Sequence, residues 1–108
     1  MSKGFDGPAL DSDGHLQNTE DWSEPVAEQL AGRDGLVLES DHWELIHFVR
    51  AYYADYETAP GMRLLVAAVK QRLGPEKASS RYLYRLFADS PARQLACYAG
   101  LPKPVSCI

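Results

Sequence analysis

Residues 39–57 read ESDHWELIHFVRAYYADYE. Ser40 stands where a helix cap is expected, acids fill the opening turn, and apolar residues fall on almost every face. The pattern predicts a helix over 41–57 surrounded by its neighbours, the centre of the fold. Towards the N-terminus, WSEPVAEQLAG (22–32) predicts a short helix capped by Ser23, with Pro25 in the first turn and Gly32 at the exit. Before it, ALDSDGHL (9–16) sets Asp13-Gly14 between short apolar pairs, a type I′ hairpin signal.

Towards the C-terminus, Pro60 and Gly74 bracket GMRLLVAAVKQRL, in which Met62, Leu65, Val66, Val69 and Leu73 recur at helical spacing. SSRYLYRLF (79–87) and SPARQLACYAG (90–100) add two short helices, each with a serine at its start, and Gly100 ends the last. LPKPVSCI then breaks the pattern, because Pro102 and Pro104 lack amide donors and favour extended geometry. The expectation is a stiff arm that spans, from Gly100 to Cys107, on the order of 22 Å.

A chain of 108 residues with a 45% hydrophobic fraction supports a single domain with one core. Its formal net charge of −4 argues against non-specific nucleic-acid binding by this protein alone, so no independent DNA binding is expected. No apolar run approaches the ~20 residues of a membrane span. The N-terminus lacks a basic head followed by an apolar stretch, so a cytoplasmic location and reduced thiols are expected.

Three stretches mimic functional motifs. ALDSDGHLQNTE (9–20) sets Asp11, Asp13, Gly14 and Glu20 on EF-hand positions, but Ala9 occupies the first ligand place and Pro8 replaces the incoming helix. A turn is the better reading there. In HWELIH, His42 and His47 are five positions apart, which turns them ~140° away from each other on a helix and defeats a zinc site. RYLYRLF (81–87) alternates bases and aromatics. Tyr82, Leu83, Leu86 and Phe87 nevertheless form an apolar helix stripe, leaving Arg81 and Arg85 exposed as candidates for docking an anion, the tail or a partner. No metal or cofactor is implied.

The two cysteines differ. Cys97 falls inside a predicted helix among apolar residues, where a structural thiol is the default. Cys107, one residue from the end of a proline-rich arm, has no core to join. The α-carboxylate of Ile108, ~6 Å away, opposes its thiolate by about 0.7 kcal/mol at water's dielectric. With no neighbouring base, this thiol suits a carrier loaded and emptied by partner sites better than a self-activated catalyst.

SRYLYRLF, PARQ and AGLPKPVSCI, together with WSEP, HWELIHFVRAYY, APGMRLLV and the Asp-Gly turn, resemble the TusE/DsrC family over nearly the whole chain. The resemblance implies an α+β domain: a small N-terminal β-meander or hairpin (1–22) packed on an array of about five helices (23–100), followed by a mobile, extended C-terminal arm (101–108). It implies a sulfurtransferase that bears a persulfide on Cys107, with Gly100, Pro102, Lys103 and Pro104 setting the presentation of the arm. Relatives in dissimilatory sulfur metabolism carry a second cysteine where this chain has Ala96. Cys97 comes one residue later, ~100° round a helix. That departure favours the TusE-like branch, in which sulfur passes from a TusBCD-like donor to an MnmA-like tRNA 2-thiouridylase, with tRNA met chiefly through that enzyme. The alternatives are a redox carrier for a dissimilatory sulfite reductase using Cys97 with Cys107, and a non-enzymatic regulator built on a helix-turn-helix around YETAPGMRLLVAAV (56–69).

Overall fold

The computed structural model describes residues 7–104. Its helices are α1 (Glu24–Arg33), α2 (Ser40–Tyr56), α3 (Met62–Arg72), α4 (Ser80–Leu86) and α5 (Pro91–Tyr98). Single 3-10 turns lie at Thr19–Asp21 and Pro75–Lys77. Among these residues no helix is long and apolar enough to cross a membrane.

The centre of the fold is α5 rather than α2: the eight-residue helix packs against each of the other four. Leu95, Ala96, Tyr98 and Ala99 are almost wholly buried, and they join Leu30, Leu45, Ile46, Leu65, Val69, Leu83 and Phe87 in one apolar cluster. The long α2 buries only the face of His42, Leu45, Ile46 and Val49, and leaves Tyr56 64% exposed. Its aromatic residues made it look enclosed, but the tyrosines of its last turns form a surface pair, Tyr52 and Tyr56, with rings 4.6 Å apart. A short helix with small residues, Ala96 and Ala99, can be approached closely from several sides.

Local signals account for most helix boundaries. The Ser23 hydroxyl accepts from Val26 N–H at the start of α1, and the Ser79 hydroxyl accepts from Tyr82 N–H at the start of α4. At α2 the cap is Glu39 rather than Ser40: Glu39 N–H donates to His42 Nδ1, and His42 Nε2 donates to the Leu86 carbonyl. Ser90 makes no side-chain cap; the Gln94 amide oxygen accepts instead from Asp89 and Ser90 N–H. Gly32 does not end α1. The chain continues to Gly35, which takes the left-handed conformation (φ 78°) and lets Leu36 N–H reach back to the Ala31 carbonyl.

The expected N-terminal β-hairpin or meander is not formed, and the fold class is helical rather than α+β. Among the described residues there is no strand, only one antiparallel bridge between Leu10 and Leu16. Inside that bridge Asp11 N–H donates to the His15 carbonyl, closing the three-residue loop Ser12-Asp13-Gly14, and Gly14 N–H donates to the Asp11 carbonyl. The apolar pairs flanking the turn are too short to extend it. Pro8 offers no donor on one side, and the chain enters the 3-10 turn at Thr19 on the other. Asp11 Oδ1 is occupied by the N–H groups of Asp13 and His15, and these bonds, His15's foremost, lower its pKa.

Tyr98 locks α5 to the exit of α1. Its hydroxyl donates to Asp34 Oδ2 at 2.6 Å and accepts from Gln94 Nε2 at 3.2 Å, and burial raises the pKa of the phenol further above its ordinary value. Tyr98→Phe is expected to cost about 1.5 kcal/mol, the worth of a hydrogen bond to a charged group. A urea midpoint lowered with an unchanged slope is the measurement.

Candidate functional site at the root of the C-terminal arm

The last turn of α5 ends in a tight reversal. Gly100 adopts φ 74°, its N–H donates to the Cys97 carbonyl, and Leu101 N–H donates to the Ala96 carbonyl. This double bond pattern satisfies carbonyls that a helix end otherwise leaves unpaired. A Cβ on Gly100 would lie 2.6 Å from Trp22 Cδ1, so the indole is pressed directly onto that backbone.

Three distant side chains then take three carbonyls of the same reversal. Trp22 Nε1 donates to the Tyr98 carbonyl at 2.8 Å, Arg50 Nη1 to the Ala99 carbonyl at 2.7 Å, and His15 Nδ1 to the Leu101 carbonyl at 2.9 Å. The Arg50 guanidinium also lies 4.2 Å from the centre of the Trp22 ring, so donor and platform stabilise each other. Partial burial lowers the Arg50 pKa from its ordinary value. Arginine remains charged under these conditions and faces the negative end of the α5 dipole.

Leu101, assigned to the arm from sequence, is 1% exposed and belongs to the core cluster. The described backbone comes to the surface after Leu101, one residue later than the sequence placed the start of the arm. Pro102 and Lys103 are exposed and Pro104 is half-buried; Lys103 Nζ is 3.9 Å from Asp13 Oδ1. Cys107 itself lies outside the described residues.

Arg81 and Arg85 are exposed on α4, with Arg85 5.2 Å from the centre of the Tyr82 ring. They do not line the groove beside Lys103 and Pro104; Arg93 does. Sequence reasoning missed Arg93 and the clamp residues His15, Trp22 and Arg50. The motif WSEP flagged the neighbourhood of Trp22, but nothing local predicts that its partners lie 76 positions further along.

Cys97 sits at the edge of a polar cavity of about 170 Å³ shared with His15, Arg33, Asp34 and Gln94. Its thiol donates to the Gly14 carbonyl at 3.5 Å, and Arg33 Nη2 lies 4.0 Å from the sulfur. Burial pushes the thiol pKa up to about 11, with Arg33 only partly offsetting it. A thiol held this way is neutral around pH 7 and a poor nucleophile.

A family described as DsrC like protein matches residues 6–108. The chain belongs to that family. Over 106 residues it is 51% identical to a protein named Sulfurtransferase TusE from Yersinia pseudotuberculosis, covering 96% of this chain and 98% of that one. The Escherichia coli protein of the same name is 46% identical, with 96% and 97% covered. Among solved structures, the NMR structure of Allochromatium vinosum DsrC superposes with a TM-score of 0.84 at 46% identity, covering 92% of this chain and 88% of that one. The oxidized gamma-subunit of the dissimilatory sulfite reductase (DsrC) from Archaeoglobus fulgidus gives 0.78 at 40%, with 94% and 92% covered. Within this DsrC-like family, identity to proteins of the two names overlaps, so the choice between branches falls to individual residues.

Gly100→Ala should lose at least about 2 kcal/mol, combining the left-handed backbone penalty with displacement of Trp22. Chemical denaturation measures it, and Trp22→Ala should cost about 3 kcal/mol in the same assay. In a Cys107→Ser background, Cys97 should resist iodoacetamide at pH 8 and react fully in urea. The sign follows from the raised pKa: the folded state holds the thiol proton more tightly. This contribution to stability is complete below pH 9, the unfolded value, and is lost as pH rises towards 11.

Proposed function

We propose that this chain is a sulfurtransferase of the relay kind, a carrier that accepts sulfane sulfur on Cys107 and hands it to a second protein in the cytoplasm. Full-length similarity to proteins named Sulfurtransferase TusE supports the carrier role. The observation that carries it in this chain is the clamp of Trp22, Arg50 and His15, which fixes the point from which the arm departs. Pro102 and Pro104 stiffen the chain beyond it, Gly100 makes the turn that aims it, and Lys103 places one positive charge along it.

The chemistry needs no oxidant. The Cys107 thiolate attacks the outer sulfur of a donor persulfide; the donor's S–S bond breaks and its thiolate leaves. Cys107 now carries the persulfide, and an acceptor thiolate takes the outer sulfur in the same way, releasing Cys107 as thiolate. The partner sites supply the base and the cations that favour the thiolate, since this thiol has neither beside it in sequence.

The donor is a TusBCD-like complex and the acceptor an MnmA-like tRNA 2-thiouridylase, with the wobble uridine as the final recipient. Two observations favour this branch over a Cys97–Cys107 redox carrier: Ala96 occupies the place of the second cysteine, and Cys97 is held as a neutral thiol under Gly14 and Arg33.

Loading with a labelled donor followed by intact-mass measurement tests the assignment. The wild type should gain a transferable sulfur of about 32 Da, and Cys107→Ser should gain none, while Cys97→Ser loads normally. Transferable sulfur on Cys107→Ser would refute it.

A further inference from the structure

The net charge of −4 conceals a strong segregation. Residues 1–57 hold thirteen Asp and Glu against three Lys and Arg; residues 58–108 hold two against eight. The second set contributes α3, α4, α5 and the arm root. Beside that root lies an open groove of about 480 Å³, lined by Met62, Tyr84, Pro91, Arg93, Lys103 and Pro104 among others, with no carboxylate among its lining residues. Tyr84 is 47% exposed. One turn of α4 sets Arg81, Tyr84 and Arg85 on a single face, at positions i, i+3 and i+4, and all three are exposed. Acids border the surface rather than line the groove: Asp13 is 3.9 Å from Lys103 at a solvent-exposed pair, Asp89 lines the adjoining polar cavity with Arg93, and Asp41 and Glu44 lie close enough to α4 to act on Tyr82.

We propose that Arg81, Tyr84, Arg85, Arg93 and Lys103 form a contact surface for an RNA backbone, engaged when the arm delivers sulfur to its acceptor. This rests on the tRNA-thiolation reading above and refines it: the carrier meets the RNA itself, not only the enzyme that holds it. Four cations around a groove whose lining holds no carboxylate match a run of phosphates. An exposed tyrosine among arginines is a stacking platform for an unpaired base, which an acidic protein surface would not require. The surface adjoins the base of the arm, so it comes within reach of the RNA when the tip enters the site of thiolation. The acidic first half of the chain opposes binding to free RNA and would make the contact dependent on the complex.

The test measures binding of the full-length chain to the 2-thiouridylase with and without unmodified tRNA, over about 50 to 200 mM salt. Bound tRNA should raise affinity about tenfold, and Arg81→Glu with Arg85→Glu should abolish that gain and flatten the salt slope by about 1.4, the equivalent of two phosphates. The same pair changed to lysine should keep it, and both doubles should unfold at the wild-type temperature. Three results would overturn the proposal: no gain from tRNA, an equal loss against RNA-free enzyme (which would assign the cations to an acidic protein face), or competition by duplex DNA as effective as tRNA. Persulfide transfer from Cys107 to RNA-free enzyme, followed in parallel, reads the relay function separately. It should proceed at the wild-type rate in the charge-reversed variant, and its absence in the wild type would mark failure of the relay reading instead.

Discussion

The reversal after α5 depends on carbonyls that find donors far away in the chain. A helix end leaves its last carbonyls unpaired, and here they are also buried, because Tyr98, Ala99 and Leu101 all sit in the core. Without Trp22, Arg50 and His15 that burial would leave acceptors without partners, at a cost of about 1–3 kcal/mol each. The three donors come from the segment before α1, from α2 and from the N-terminal turn. Each of those elements is thereby oriented by the same few atoms, and the packing of α5 against all four other helices follows from a hub that is tied at its end as well as along its sides.

This arrangement explains why the small residues of α5 matter as much as its large ones. Ala96 and Ala99 are 2% and 0% exposed and leave room for backbone to approach backbone, whereas Leu95 and Tyr98 fill the spaces on either side. The polar cavity next to Cys97 belongs to the same construction. The Gly14 carbonyl, in the N-terminal turn, accepts hydrogen bonds from the Cys97 thiol and the Arg33 guanidinium together, so the turn is held to α1 and α5 at once.

Helix positions were legible in the sequence because they are announced locally, by Ser23, Ser79, Pro60, Gly74 and Gly100. Ranking the helices was not, since hydrophobicity on every face of 39–57 reflects aromatic residues that remain partly exposed, while the true centre is short and rich in alanine. The hairpin failed for a related reason: Asp13-Gly14 encodes a turn, which forms, but a turn does not encode the ladder on either side of it. At the candidate site, the proline spacing and the terminal cysteine stood out along the chain. The clamp could not, because its donors and acceptors are separated by 49 to 86 positions. The basic second half was written plainly in the sequence and was hidden by summing over the whole chain.

The indole of Trp22 touches the Gly100 backbone, lies under the Arg50 guanidinium and stands edge-on to His47, with ring centres 5.9 Å apart. A chromophore therefore stands at the root of the arm. An indole in van der Waals contact with the arm's root and under a guanidinium has an environment that any displacement of that root would change, so the unlabelled protein carries a built-in optical probe at this position.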